Sequence, residues 1–239
     1  MGNTRASFYK QYITWKNWDK NVTKDFANDA YLYELKNLNI DKNVRILEIG
    51  FGSGGFLDWA KDKGNDVVGV EIIEPLVDSA KERGHIVYHG HPDKLLSKYK
   101  GTFELICLFD VLEHISIDEL PHLFKTISML LIDGGKVFAR FPNGASPFGR
   151  FYQYRDVTHV SVLSPEIINQ ISSHYDIHLD SSKNSYRPTK AGNVSSFKKR
   201  MGYVLRDVIE IIISYSYYGK RVPLDPNISC VLVKENKTK

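Results

Sequence analysis

Apolar residues along this chain fall into short continuous runs separated by stretches of helical period. Runs rich in β-branched and aliphatic residues lie near 44–50, 66–72, 85–89, 103–109, 135–141, 176–182 and 227–234, and each predicts a strand. FELICLF at 103–109 reads as a strand buried on both faces. Helical patterns fill the early gaps, so strand and helix alternate through residue 141, which predicts right-handed crossovers and a parallel sheet. Punctuation supports this frame. Gly64 stands where the helix after the first strand should stop, Ser116 with Glu119 predicts a capping box ahead of LPHLFKTISMLL, and Ser164–Pro165 opens another helix. In the first forty residues, Phe8, Tyr12 and Trp15 share one helical face, as do Tyr31 and Leu35. Ordinary packing onto the sheet and a lid over a bound ligand are both consistent with those aromatics.

The turn after the first strand carries the first chemistry. In VRILEIGFGSGGFL, residues 44–57, Glu48, Gly50, Gly52 and Gly54 form an ExGxGxG pattern. A strand feeding directly into a helix needs positive φ in the turn and no Cβ where a nucleoside ligand lies against backbone. Gly50, Gly52 and Gly55 also stand at GxGxxG spacing, the dinucleotide fingerprint. Glu71 follows Gly52 by 19 residues at the end of DVVGVEI and is placed to accept both hydroxyls of an adenosine ribose, which suits either ligand. Glu48 separates them. A carboxylate there attracts the cationic amino group of a methionine moiety, whereas beside a pyrophosphate it adds repulsion.

With these residues the chain resembles the class I methyltransferases that use S-adenosylmethionine, over roughly residues 42–235. LFDVLEHI supports the likeness: Asp110, Glu113 and His114 follow the fourth strand at its carboxyl end, where open α/β sheets bind ligands. The resemblance implies an α/β, Rossmann-like, seven-stranded, mostly parallel sheet whose last strand inserts antiparallel beside the fifth, with helices on both faces. It also implies a domain over 42–239 preceded by a helical lid or cap over 1–41, with Asp110 shaping the methionine end of the pocket. After the third strand many relatives present an acidic residue to adenine. This chain reads HIVYHGHPDKL there, with Asp93 slightly beyond, so apolar packing by Ile72 is the expected adenine contact.

The acceptor should be read by the segment after the fifth strand, a substrate loop over 142–163. Pro142, Asn143, Asp156, Thr158, His159, Ser164 and Pro165 resemble the PN…DxTHxxxxSP segment of methyltransferases for bacterial surface polysaccharides, with Leu163 replacing the usual aromatic. The cofactor's sulfonium already activates its methyl group, so the protein must align a nucleophile and take its proton. His159 is the leading general base, with Asp156 or another carboxylate orienting the imidazole, and His114 is its competitor. Asp156 could instead cap a turn through an Asx bond, with Thr158 and His159 holding loop backbone, and His114 could be a helix-start residue bonded to backbone. Arg150, Tyr152, Tyr154 and Arg155 suit a sugar or phosphate, through guanidinium forks and aromatic faces.

Composition narrows the classes. At 239 residues and 42% hydrophobic, the chain can bury one substantial core. A net charge of +4 with scattered cations, apart from Lys198, Lys199 and Arg200, demands no nucleic-acid groove. Cys107 and Cys230 fall inside strands and read as small apolar residues in a reducing compartment, and no metal-ligand spacing occurs. MGNTRAS has no apolar h-region, and Ala6 stands where a myristoylation signal needs Ser or Thr, so a cytoplasmic protein is expected. Within a helical insertion over 190–219, YVLRDVIEIIISYSYYG at 203–219 is too short and too charged to span a bilayer. Val204, Val208, Ile211, Ile212 and Tyr215 lie on one stripe of it, which predicts packing on the domain before dimerisation or contact with a membrane or lipid-linked glycan.

The expectation is therefore an S-adenosylmethionine-dependent O-methyltransferase, monomeric or homodimeric, acting on a sugar or glycan hydroxyl in surface-polysaccharide biosynthesis. The alternatives are a methyltransferase for a quinone, small metabolite or polysaccharide phosphate, and a noncatalytic cofactor-binding subunit of a partner.

Overall fold

The computed structural model describes residues 8, 14–16, 24–38, 40, 43–187 and 194–236, with the side chains of 24–28 and 194–197 outside the description. Helix α1 (Lys24–Glu34) precedes β1 (Arg45–Ile49), α2 (Gly55–Asp62), β2 (Asp66–Glu71), α3 (Glu74–Glu82), β3 (Ile86–His89), the short α4 (Leu96–Tyr99) and β4 (Phe103–Phe109). Next come α5 (Leu120–Leu130), β5 (Leu131–Pro142), α6 (Arg150–Tyr154), α7 (Pro165–Ser172), β6 (Ile177–Asn184), α8 (Val194–Tyr218) and β7 (Asn227–Lys234). The seven strands order as β3-β2-β1-β4-β5-β7-β6. β1 to β5 pair in parallel, and β7 runs antiparallel between β5 and β6, as expected.

In the central strands β1, β2 and β4 the apolar runs are continuous because both faces are buried, whereas the edge strands β3 and β6 are only partly buried. Ile46, Val67, Leu105, Cys107 and Phe138 turn to one side, where Phe56, Leu57, Leu76 and Val77 from α2 and α3 cover them together with Leu35 and Leu38. Their strand neighbours Leu47, Val68, Ile106, Leu108, Val137 and Ala139 face the other side, covered by Leu120, Phe124 and Ile127 of α5 and Ile168 of α7. Tyr31 of α1 packs edge-on against Phe56 and Phe109, so the amino-terminal helix closes one end of that face. Phe8 and Trp15 are exposed, and Tyr12 lies outside the described residues. Both cysteines are buried free thiols.

Several local expectations change. Glu119 accepts from the Ser116 amide at 3.3 Å, as a capping box requires, but the Ser116 hydroxyl donates to the same carboxylate at 2.6 Å instead of accepting a backbone N–H. Ser164 does cap α7, accepting from Ile167 N. The segment after β5 is a closed structure containing α6: a parallel bridge joins Asn143 to Leu163, and buried Asn143 donates from Nδ2 to Pro223 O. Leu163 sits in the core, the place of the aromatic usual in the resembling segment. The stripe Val204, Val208, Ile211, Ile212 and Tyr215 does not pack on the domain; all five side chains are exposed.

Phe138, fully buried in β5 between the two sheet edges, is a test of the core: Phe138→Ala should cost about 3–5 kcal/mol. Denaturant unfolding should show a lower midpoint without loss of cooperativity.

Candidate active site

The carboxyl edge of the parallel sheet gathers the chemistry. β1 ends at Ile49, and the chain turns through Gly50 (φ 71°), Gly52 (φ 53°) and Gly54 (φ 80°) into α2. A Cβ on Gly50 would stand 2.6 Å from Val111 Cγ2, so the turn from β4 fits against this backbone only because the side chain is absent. Beside the turn, Glu71 Oε2 accepts from Gly52 N, while Oε1 accepts from Ile72 N and Ile73 N. Three of the roughly four acceptor positions of that carboxylate are thus already used. A ribose held through both hydroxyls must share or displace one of these contacts. Ile72 is half-exposed directly after it, accessible to a flat apolar ligand.

Glu48 is different. It is 3% exposed, and its Oε2 has no hydrogen-bond partner among the described residues. Burial, with Glu71 nearby, pushes its carboxyl well above the ordinary carboxylate range. A buried acceptor with unmet bonding capacity at this edge is suited to a cationic donor.

Asp110, at φ 56°, follows β4 and receives Nε and Nη2 of Arg140, which rises from β5. Arg140 Nη1 also donates to Glu34 Oε2 at 3.3 Å, and Glu34 Oε1 accepts from Tyr186 N. This guanidinium joins the amino-terminal helix to the ends of β4 and β5. Sequence reasoning missed it, though a cation inside FARFP was a signal.

Beyond Asp110, the fold brings His114 and His159 into edge-to-face contact with ring centroids 4.7 Å apart. Asp156 is buried and accepts from Thr158 N, so the Asx turn does form. Its Oδ1 also accepts from the Thr158 hydroxyl, whose oxygen lies 2.9 Å from His114 Nδ1. The hydroxyl has one proton, committed to Asp156, so it accepts from His114 Nδ1–H and leaves the lone pair on Nε2. Burial and neighbouring His159 push the His114 pKa down to about 4, which keeps the ring neutral.

His159 Nδ1 lies 3.1 Å from the Gln153 carbonyl and must donate to it, placing its lone pair on Nε2. That nitrogen lies 3.6 Å from Asp156 Oδ2 and 3.9 Å from Glu113 Oε1, beyond hydrogen-bond reach. Asp156 thus reaches His114 through the Thr158 hydroxyl, and stands at the longer ion-pair distance of 3.6 Å from His159 Nε2. Glu113, absent from the expected site residues, is buried with Oε2 unpartnered among the described residues, and burial pushes its carboxyl well up. Ligand atoms of Glu113, His114 and His159 lie within 4.8 Å of one another, a grouping able to hold a metal ion that spacing along the chain does not reveal. Lys16 Nζ reaches Asp156 Oδ2 at 3.3 Å, so the amino-terminal segment touches this cluster.

The four expected acceptor residues divide. Arg150 and Tyr154 line a cavity of about 800 Å³, together with Phe148, Gln153, Ile213, Tyr217 and Tyr218, and this cavity adjoins the loop and not the glycine turn. Tyr152 and Arg155 are not among its walls; Arg155 lies over the rings of Phe151 and Tyr152.

A family profile described as a methyltransferase domain matches residues 20–181, taking in α1, the glycine turn, both histidines and most of β6. The chain belongs to this methyltransferase family. Among curated proteins it is similar to a ubiquinone biosynthesis O-methyltransferase of Coxiella burnetii, 28% identical over 102 residues, covering 41% of this chain and 43% of the relative. The chain thus matches less than half the length of such relatives. Among solved structures it is similar to a SAM-dependent methyltransferase from Archaeoglobus fulgidus, with TM-score 0.66, 17% identity and coverage of 93% and 99% of the two chains. It is also similar to a SAM-dependent methyltransferase from Thermotoga maritima, described as a possible histamine N-methyltransferase, with TM-score 0.62, 18% identity and coverage of 95% and 98%. At these identities the structures show the shared fold.

S-adenosylmethionine is the cofactor of this methyltransferase, and the edge fits it: a turn without side chains, a carboxylate at the end of β2, and Glu48 with an oxygen awaiting a donor. Ionised Glu48 would pair with the cofactor's ammonium, and the cation lowers its raised pKa. Binding should then release a proton, and affinity should rise with pH up to the unliganded pKa of Glu48. Calorimetry in buffers of different ionisation enthalpy should detect the release, and Glu48→Gln should remove it while weakening binding by about tenfold or more.

Proposed function

We propose that this methyltransferase acts on a hydroxyl of a sugar or glycan acceptor, in the cytoplasmic assembly of a bacterial surface polysaccharide. The Asp156–Thr158–His114 relay beside the carboxyl end of β4 is the observation that carries the reading. A hydroxyl, unlike an amine, must shed its proton as its oxygen is alkylated, and the relay holds a neutral imidazole with its lone pair on Nε2. Bound S-adenosylmethionine would supply an electrophilic methyl group whose leaving group is a neutral thioether. His114 Nε2 takes the acceptor's proton as the oxygen–methyl bond forms, and Asp156, through Thr158, steadies the imidazolium. His159 stands edge-on to that ring and shapes the same end of the pocket.

Sugar specificity is supported by the resemblance of the 142–163 loop to polysaccharide methyltransferases and by Arg150 and Tyr154 on the cavity wall. α1 and the segment around Lys16 serve as a cap over the site, tied by Glu34–Arg140 and Lys16–Asp156. The partial relationship to a ubiquinone O-methyltransferase favours a phenolic quinone acceptor as the second reading, served by the same base.

Methyl transfer from labelled S-adenosylmethionine to nucleotide sugars, glycan fragments and a catechol quinone precursor tests the choice. Transfer to a glycan hydroxyl is expected; transfer only to the phenol supports the second reading, and transfer only to amines contradicts both. His114→Asn should lower kcat by about 10²–10⁴ with cofactor affinity unchanged. Because His114 is a base whose pKa is depressed to about 4, its acid limb should lie well below that of an ordinary histidine, with activity lost only as pH falls through that lower range. Thr158→Val should lower kcat by a smaller factor.

A further inference from the structure

α8 has the reverse of the usual arrangement of a surface helix. Its domain side carries Arg206, Asp207, Glu210 and Ser214. Arg187 from the segment after β6 donates to Asp207 and Asp225, and Arg206 donates to the same Asp225. Glu210 accepts from Asn184 Nδ2 and Leu224 N, and Ser214 accepts from Val222 N. The bonds made by Arg206, Asp207, Glu210 and Ser214 fix the rotation of the helix, since turning the apolar face inward would break them.

The outward side carries Val204, Leu205, Val208, Ile209, Ile212 and Tyr215, with Val208 at 47% and Ile212 at 59% exposure. Contiguous exposed aliphatic side chains over several turns mark an interaction surface. Exposed cations frame it: Lys198 and Lys199 at the amino end and Lys220 just past the carboxyl end, while Arg221 beside it is paired with Glu210. The acidic residues within α8 are Asp207 and Glu210, and both are held on the domain side.

We propose that α8 lies in the surface of an anionic lipid bilayer, with its aliphatic face at the headgroup–acyl boundary and its terminal cations on lipid phosphates. The charge pattern selects this occupant over a second copy of the chain. In a parallel or antiparallel pairing of two such helices, Lys198, Lys199 and Lys220 meet cations of the other copy, and neither acidic residue of α8 lies on the outward face to offset them. Among the described residues no helix is long and apolar enough to cross a membrane, so the contact is interfacial. This docking holds whichever acceptor is methylated.

Flotation of the full chain with phosphatidylcholine vesicles, with and without phosphatidylglycerol, tests it. The chain should float with the phosphatidylglycerol vesicles and much less with phosphatidylcholine alone, and salt should weaken the association. Val208→Glu/Ile212→Glu should lower partitioning about tenfold or more, and Lys198→Glu/Lys220→Glu should lower it roughly fivefold or more per cation. Both variants should keep wild-type S-adenosylmethionine binding by calorimetry, which shows that they are folded and separates this test from that of the acceptor. Failure to float with anionic vesicles, floating that Val208→Glu/Ile212→Glu leaves intact, or a dimer in sedimentation that this variant dissolves without any vesicle binding would each overturn the proposal.

Discussion

The parallel pairing of β1 with both β2 and β4 is the constraint on which the rest of this molecule depends. It places the ends of three buried strands side by side, so that Glu48, Glu71 and Asp110 emerge along one edge although they are spread over some sixty residues of chain. Burial on both faces holds these ends in place. The same burial leaves few polar neighbours there, and a carboxylate at such an edge is either satisfied by backbone or held at an energetic cost until a ligand arrives. Glu71 is satisfied by three amides, whereas Glu48 is not. The edge therefore stores its unmet bonding capacity where a cofactor's cationic end can relieve it.

Arg140 extends this arrangement outward. From the last parallel strand it reaches Asp110 and Glu34 together, with its guanidinium over Phe109. The ion pair with Glu34 ties α1 to the carboxyl edge of the sheet. Lys16 on Asp156 gives the amino-terminal segment a second attachment, this one at the histidine cluster. On the proposed reading, the amino-terminal residues would cover both ends of the site.

Much of this was legible in the chain. All seven strands lie close to the expected positions, the central ones because two-sided burial writes itself as unbroken hydrophobicity. The glycine turn was legible because positive φ and close approach restrict residue choice. The rest depended on information that a linear pattern lacks. His114 and Thr158 are 44 residues apart, so their hydrogen bond, which links Asp156 to His114, leaves no local trace. Glu113 and Arg140 resemble ordinary charged residues until the fold buries or pairs them. For α8, periodicity revealed the apolar stripe but not which side faced the domain; an ion pair with Arg187 and a hydrogen bond from Asn184 decided that, and neither residue lies on the helix.

The central claim is that the carboxyl edge is a preformed S-adenosylmethionine site whose unmet acceptor is Glu48. A crystal structure of the protein with S-adenosylhomocysteine tests this most directly. The account predicts the ligand's amino group within hydrogen-bond distance of the Glu48 carboxylate, with the ribose hydroxyls on Glu71 and the Gly52 contact shared or displaced. A ligand bound at this edge with Glu48 still unpartnered, or bound elsewhere on the molecule, would contradict it.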